Sequence, residues 1–179
     1  LQRISDAGVE IINVSPVRDD TAEFLAARWL PIRPNTDVAL MLGLAHTLVV
    51  EDLHDQAFIA RHTVGFSRFL PYLLGESDGQ PKDAGWAATI CELPADSIRQ
   101  LARRLARERS VISVGLSLQR QQYGEQAHWM TIVLIVVNVA KSTLTGRKEE
   151  QKLYRYHSGY DGGLREERAK DVRARHPRR

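Results

Sequence analysis

The sequence contains a single cysteine, Cys91, among its 179 residues. One cysteine excludes an internal disulfide, and it also excludes a zinc site built from several thiolates. Long apolar runs are lacking too, because the longest, from Ile132 to Val137, is far shorter than the roughly 20 residues that cross a bilayer. A disulfide scaffold and a membrane-spanning helix are therefore not expected, and no segment fixes the compartment.

The composition is otherwise typical of one globular domain. Hydrophobic residues make up 43 % and charged residues 26 % of the chain, which is enough apolar material for a core. The net charge of +3 is unevenly distributed: residues 141–179 hold twelve Lys or Arg against six Asp or Glu, and residues 1–140 hold thirteen against sixteen. The slightly acidic body therefore offers no electrostatic footprint for nucleic acid.

The pattern of apolar residues predicts helices alternating with short strands. Strands are predicted at Val9–Val14 and Ser110–Gly115, where β-branched residues cluster. A helix is predicted from Ala22 to Ala27, after the acidic and capping residues 19–21. Trp29–Pro34 contains two prolines and is predicted to be extended or irregular. Further helices are predicted at 38–50, 57–62, 66–74, 84–91, 94–105 and 125–139.

This alternation predicts an α/β fold, namely a doubly wound layered domain with a short, mainly parallel sheet flanked by helices. We expect residues 1–140 to form this domain. Apolar periodicity fades beyond Lys141, so residues 141–179 are expected to form a basic, charged tail that is irregular or helical.

The ends of the predicted strands are the expected place for a ligand, because open α/β sheets bind ligands beyond the carboxyl ends of their strands. Ser15–Asp19 leaves the first strand and Leu116–Arg120 leaves the second. Arg18 and Arg120 have forked donors suited to phosphate oxygens, and Asp37, at a helix start, suits a purine edge. The alternative is that Arg18 and Asp37 are ordinary surface and capping residues, since no glycine-rich phosphate motif is present.

The histidines, the cysteine and the large aromatic residues are predicted to have structural roles. His46, His54 and His62 recur every eight residues, but a helix break is expected between them, which favours satisfied or exposed histidines over a metal site. Cys91 is predicted to be a small buried apolar residue, because no base adjoins it in the sequence. Three large aromatic residues are predicted to lie in the core: Tyr72, Trp86 and Trp129, the last on a buried face with Ile132, Val133 and Val136.

Four motifs resemble one known family. The run PNTDVALMLGLAHTL at 34–48 is similar to a segment of the molybdopterin oxidoreductases of the dimethyl sulfoxide reductase family. FLPYLLGESDGQPKD at 69–83 and GEQAHWM at 124–130 narrow the resemblance to the branch of biotin sulfoxide and trimethylamine N-oxide reductases. With NVSPVRDDTAE at 13–23, these motifs cover residues 1 to about 135 nearly without gaps.

The resemblance implies a bis(molybdopterin guanine dinucleotide) molybdenum cofactor and the reduction of S-oxides or N-oxides by oxygen-atom transfer. It implies that two segments contact one guanine dinucleotide arm, with Asp37 at the guanine edge, and that a third approaches the pterin or the metal pocket. The expected cofactor-binding residues are Ser15, Pro16, Val17, Arg18 and Asp19, then Asn35, Thr36 and Asp37, and finally Gln119 and Arg120.

The chain also departs from the family pattern. Leu116 stands where the family has a tryptophan, and Asn138–Gly146 stands where a glycine-rich stretch is expected. The resemblance implies enzymes several times longer than 179 residues, whose molybdenum ligand is a serine in a segment preceding Leu1. We therefore expect a partial enzyme with no catalytic residue and no metal ligand of its own, whose partners are the remaining domains.

The leading hypothesis is a cofactor-binding segment of a molybdenum enzyme that reduces biotin sulfoxide, trimethylamine N-oxide or dimethyl sulfoxide and is inactive as this fragment. An alternative from a different class is a non-catalytic α/β binding module whose basic tail recruits an anionic partner such as nucleic acid. The branch has both cytoplasmic and exported members, so the resemblance leaves the compartment open.

Overall fold

The computed structural model describes residues 2–108, 110–144 and 152–156. Its sheet has four short strands, β1 (Ile11–Val14), β2 (Arg28–Leu30), β3 (Ser110–Val114) and β4 (Lys152–Tyr156). They lie in the order β2-β1-β4-β3, and every neighbouring pair is parallel. In the register of the sheet, Asn13 of β1 lies opposite Trp29 of β2. The outer strands are therefore β2 and β3.

Seven helices accompany the sheet in the described part of the chain. They are α1 (Gln2–Asp6), α2 (Asp37–Val50), α3 (Gln56–His62), α4 (Phe66–Leu74), α5 (Ala84–Cys91), α6 (Ala95–Arg107) and α7 (Gly124–Leu144). The predicted α/β fold with a parallel sheet is confirmed. No helix among these residues combines the length and the apolar character needed to span a membrane.

The core is built around α2, which packs against α5, α6 and α7. Its side chains are buried on nearly all sides, as the density of apolar residues predicts. Gly43 allows the close contact with α5, because a Cβ at this position would lie 2.7 Å from the Cβ of Ala87. Carboxylate caps begin two of the neighbouring helices: Asp55 accepts from the Phe58 amide at 2.9 Å, and Asp83 accepts from the Trp86 amide at 2.7 Å.

The predicted helix at Ala22–Ala27 is wrong. This segment forms the 3₁₀ turn Glu23–Leu25, which ends at Ala26 in the left-handed region with φ +45°, and β2 begins at Arg28. Pairing of β2 with β1 draws the chain into an extended conformation, and a six-residue helix gains too few hydrogen bonds to compete.

The expectation of an irregular or helical tail does not hold for β4, which occupies the middle of the sheet between β1 and β3. Its sequence, KLYRY, contains two tyrosines, which favour strands. Helix α7 continues past Lys141 to Leu144. The rest of the predicted tail lies outside the described residues, and the domain division at residue 140 stays a prediction.

The predicted face of α7 is wrong for two of its four residues, because Val133 and Val136 pack partly buried against the core but Trp129 and Ile132 do not. Trp129 is 71 % exposed and Ile132 is 64 % exposed. Instead, α7 buries a different row of residues: Ala127, Met130, Thr131, Leu134 and Val137. Because this helix is apolar on several sides, its sequence periodicity does not decide which face packs against α2. Tyr72 is likewise 40 % exposed, whereas Trp86 packs partly buried against the core.

Lys82 closes the loop between α4 and α5. Its buried Nζ donates to Asp78 Oδ2 at 2.6 Å and to the Gln80 carbonyl at 2.5 Å. The same ammonium lies 4.5 Å from the ring centroid of Tyr72 and 5.6 Å from that of Trp86. This buried cation is therefore held by hydrogen bonds and by two aromatic faces.

We expect Lys82→Met to lower the free energy of unfolding by about 2 kcal/mol, because methionine retains the apolar stem but loses the hydrogen bonds and the cation–π contacts. Urea denaturation measures this loss. Asp78→Asn is the control, since Asp78 is exposed and its loss should be clearly smaller. Equal destabilisation by the two variants would contradict the importance of the aromatic contacts.

Burial of His46 leads us to expect that the stability of the fold depends on pH. Burial in α2 lowers the pKa of His46 below its ordinary value of 6.5, against a smaller opposing effect of Asp83. The unfolded chain therefore binds a proton more readily than the folded chain, and the free energy of unfolding should fall as the pH decreases below 6.5. In urea denaturation at several pH values, His46→Gln should flatten this fall, whereas the exposed control His62→Gln should not.

Candidate functional site

Three of the loops predicted to bind a ligand meet one edge of the sheet. Ser15–Asp19 follows β1, Asn35–Asp37 follows β2, and the 3₁₀ turn Leu116–Arg120 follows β3. Because all the strands are parallel, their carboxyl ends lie at the same edge. This is the edge at which open α/β sheets bind ligands.

The carboxylate of Asp20 organises the loop after β1. Its Oδ1 accepts hydrogen bonds from Asn13 Nδ2 at 2.6 Å and from Thr21 Oγ1 at 3.2 Å, and its Oδ2 accepts from Ser15 Oγ. Ser15 Oγ in turn accepts from the Val17 amide at 3.1 Å. One side chain thus joins the end of the strand to both ends of the loop.

Two further bonds fix this loop to β2. The indole Nε1 of Trp29 donates to the Ser15 carbonyl at 2.8 Å, and the Ser15 amide donates to the Leu30 carbonyl at 3.2 Å. Ser15 is completely buried by these contacts. The loop therefore leaves the sheet in a conformation set by strand pairing and by the carboxylate of Asp20.

A cavity of about 780 Å³ lies beside this loop. It is lined by Asn13, Arg18, Asp19, Thr21, Ala22, Glu23, Ala26, Ala27 and Trp29. Arg18 contributes a guanidinium, which can hold an anion through two donors. The Oδ1 atom of Asn13 is buried and has no hydrogen-bond partner among the described residues.

The chemistry of the cavity is mixed. Asn13 Oδ1 and the carboxylates of Asp19 and Glu23 can accept hydrogen bonds from amide, amine or hydroxyl groups. A ligand that combines an anionic group for Arg18 with several donors for these acceptors would satisfy both parts of the wall. A phosphorylated nucleoside has this combination of groups.

The structure brings Arg18 and Asp19 together in the wall of this cavity. Ser15 lies buried behind them, Pro16 is half-buried, and Val17 is exposed.

The other predicted binding residues lie elsewhere on the edge. Asn35 is exposed with φ +63°, the Thr36 hydroxyl donates to the Arg33 carbonyl at 2.6 Å, and Asp37 is buried as the first residue of α2. Gln119 and Arg120 are exposed. These residues are not among those that line the cavity beside Arg18.

The sequence interpretation missed Asn13, Thr21, Glu23 and Trp29 as cavity residues. The sequence contained one signal for Asn13. It is the only polar residue in the buried strand IINV, where a side-chain amide needs a hydrogen-bond partner. Trp29 gave no such signal, because its position opposite β1 depends on the pairing of β1 with β2.

Among the described residues, the histidines and the cysteine do not line this cavity. His46 is half-buried in α2, His54 is buried in the loop after it, and His62 is exposed at the end of α3. In the ranges that the structure describes, no group of three or more His, Cys, Asp or Glu side chains is arranged to hold a metal ion. Cys91 is buried as predicted, and burial raises the pKa of its thiol.

We expect Asp20→Asn to lower the free energy of unfolding by about 2 kcal/mol, because the amide NH₂ would face donors and the three hydrogen bonds could not all form. Urea denaturation tests this expectation. The matched control is Asp19→Asn in the same loop, where the side chain is exposed and the stability should not change. The organising role of Asp20 would be refuted if the two variants behaved alike.

Known proteins resemble this chain over most of its length. Residues 1–164 match the family model described as molybdopterin oxidoreductase. A dimethyl sulfoxide/trimethylamine N-oxide reductase from Cereibacter sphaeroides is 51 % identical over 134 residues, which are 75 % of this chain and 16 % of that protein. A biotin sulfoxide reductase from the same organism is 53 % identical over 137 residues, covering 76 % of this chain and 18 % of the relative.

A solved structure also resembles this chain. The acetylene hydratase of Pelobacter acetylenicus superposes with a TM-score of 0.62 at 28 % identity, over 76 % of this chain and 18 % of that structure. The chain thus spans less than a fifth of the length of these relatives. With a family model matched from residue 1 to residue 164, this chain belongs to the molybdopterin oxidoreductase family.

Proposed function

We propose that this chain holds one guanine dinucleotide arm of a bis(molybdopterin guanine dinucleotide) molybdenum cofactor, as part of a longer enzyme that reduces S-oxides or N-oxides. The observation that carries the proposal is the cavity beside Arg18. It combines a guanidinium with the buried Oδ1 of Asn13, which has no hydrogen-bond partner in the described part of the chain. The relatives named for dimethyl sulfoxide, trimethylamine N-oxide and biotin sulfoxide support the substrate class.

Each residue of the cavity has a chemical role in this proposal. Arg18 binds a phosphate oxygen pair, while Asn13 Oδ1 and the nearby carboxylates accept hydrogen bonds from ribose hydroxyl or guanine N–H groups. Asp20 does not touch the ligand in this arrangement. It is a positioning residue, because it holds the backbone from which Arg18 extends.

Two other segments extend the proposed contact along the sheet edge. Asn35, Thr36 and Asp37 stand at the beginning of α2, where a carboxylate and the helix amides suit a guanine edge. Gln119 and Arg120 stand beyond β3 and would approach the pterin. Gly124 fixes the path of that turn, because a Cβ there would lie 2.4 Å from the Leu118 carbonyl oxygen.

The metal is not held by this chain in the proposal. When bound, the molybdenum group supplies oxygen-atom transfer, in which an S-oxide or N-oxide, two electrons and two protons give the sulfide or amine and water. The remaining domains of the full-length enzyme would be the partners, and they would provide the metal ligand. Family membership gives no support to the alternative of a non-catalytic module that recruits an anionic partner through a basic tail.

We expect GDP to bind the 179-residue chain weakly, because a ligand shared between domains loses most of its contacts when one domain remains. In a ¹H–¹⁵N NMR titration, the shifts should concentrate in Ser15–Asp19 and Asn35–Asp37, and ADP should bind less tightly than GDP. Arg18→Gln should weaken GDP binding roughly fivefold, whereas Arg28→Gln, an exposed arginine on β2, should not. Shifts confined to other surfaces, or equal binding of ADP and GDP, would overturn the assignment of this site.

We also expect the purified chain to reduce no S-oxide. The assay is the oxide-dependent oxidation of reduced viologen by cofactor-loaded protein, with the same protein expressed within its natural flanking sequence as the positive control. Molybdenum content of the flanked protein provides a second readout. Oxide reduction by the 179-residue chain alone would contradict the proposal that another domain supplies the metal ligand.

A further inference from the structure

A second cavity, of about 570 Å³, opens between the end of α2, α3 and α4. It shares no lining residue with the cavity beside Arg18. Its wall is mostly apolar and includes Val49, Ile59, Phe66, Leu70 and Leu74. A volume of this size and an apolar wall are typical of small-molecule sites in proteins.

His54 places one polar group in this apolar wall. The side chain is only 8 % exposed, and its Nδ1 atom is buried without a hydrogen-bond partner among the described residues. Its ring lies 6.3 Å from the ring of Phe66, centroid to centroid. A neutral imidazole carries one donor and one acceptor, and a half-turn about its Cβ–Cγ bond exchanges Nδ1 with a carbon position.

Of the other polar side chains of the cavity, Ser67 is exposed to solvent, and Thr63 and Gln56 are already engaged. Thr63 Oγ1 donates to the Ile59 carbonyl at 2.7 Å, and Gln56 Nε2 donates to Asp52 Oδ1 at 3.4 Å. Of the residues that the structure describes, no Asp, Glu, Lys or Arg lines the cavity. A charged ligand would therefore lose its hydration without gaining an ionic partner, which excludes ions as suitable occupants.

We propose that this cavity binds an uncharged small molecule with an apolar body and one hydrogen-bonding group directed to the imidazole of His54. The apolar walls bury the body of the ligand, and the hydrogen bond satisfies a nitrogen that otherwise stays unpaired in the interior. The site is independent of the guanine nucleotide site, so its test does not depend on the proposed function.

The probe is 4-propylphenol, which has an apolar body and one hydroxyl, and the matched probe is 4-propylanisole, in which a methyl group replaces the hydroxyl hydrogen. We expect 4-propylphenol to bind the 179-residue chain with a Kd of about 1 mM, as its size allows. Its binding should shift the ¹H–¹³C signals of Ile59 and Leu70 and the imidazole ¹⁵N signals of His54. The anisole should bind roughly fivefold more weakly, because it cannot donate.

Variants of the chain separate the hydrogen bond from the cavity. His54→Phe should weaken phenol binding roughly fivefold and leave anisole binding unchanged. Ala60→Phe should abolish the binding of both probes by filling the cavity, whereas Ala57→Phe, an exposed position on the same helix outside the cavity, should abolish neither. If His54→Phe does not fold, the comparison of Ala60→Phe with Ala57→Phe still tests where the probes bind.

The proposal is overturned if neither probe shifts the cavity signals, or if phenol and anisole bind equally. It is also overturned if Ala60→Phe retains binding while Ala57→Phe loses it. Shifts at Ile132 and Val133 instead of at the cavity would place the probe on the neighbouring face of α7, which also contradicts the proposal.

Discussion

The burial of α2 on almost every side is the constraint on which the remaining structure depends. Three helices pack around it, and the absence of a side chain at Gly43 permits the close contact with α5. A helix so enclosed cannot rotate or slide without opening the core. Its first residue, Asp37, is therefore held in a defined, buried position.

A second constraint acts at shorter range. Asp20 gathers the loop after β1 through hydrogen bonds to side chains that precede and follow it, and Trp29 binds the same loop to β2. The packed core thus determines where the edge lies, while a small polar network determines the shape of the loop on it. The backbone of the loop is thus held in place although the side chain of Arg18 is exposed.

The sequence was sufficient to predict those helices and strands that have a local pattern of apolar residues. Helix α6 repeats apolar residues at three and four positions and has arginines between them, and the predicted strand at Ser110 matches β3. The three-residue β2 was not predicted as a strand, because its pairing with β1 creates it. The helix predicted at Ala22–Ala27 was wrong, because local composition does not reveal that the chain must extend to reach that pairing. On α7, apolar residues on several faces left the packing face undetermined.

The residues of the candidate site likewise divide into those that the sequence predicts and those that depend on the pairing or packing of separate segments. The loop at Ser15–Asp19 followed from the rule that ligands bind beyond strand ends, so Arg18 and Asp19 were found from the sequence. Asn13 and Trp29 were not found from the sequence. They lie on two strands that are separated in the sequence and come together in space only when they pair. Conversely, the sequence could place Asp37 at a helix start but could not reveal that its carboxylate is buried.

The position of β3 at the rim of the sheet has a consequence for concentrated solutions of this chain. Among the described residues, β3 pairs only with β4, and its sequence SVISV contains no proline and no charge. Charged residues and proline are two of the devices with which natural proteins protect such a rim. As far as the described residues show, the outer backbone of β3, with Val111 exposed beside it, is a template on which a strand from another molecule can add.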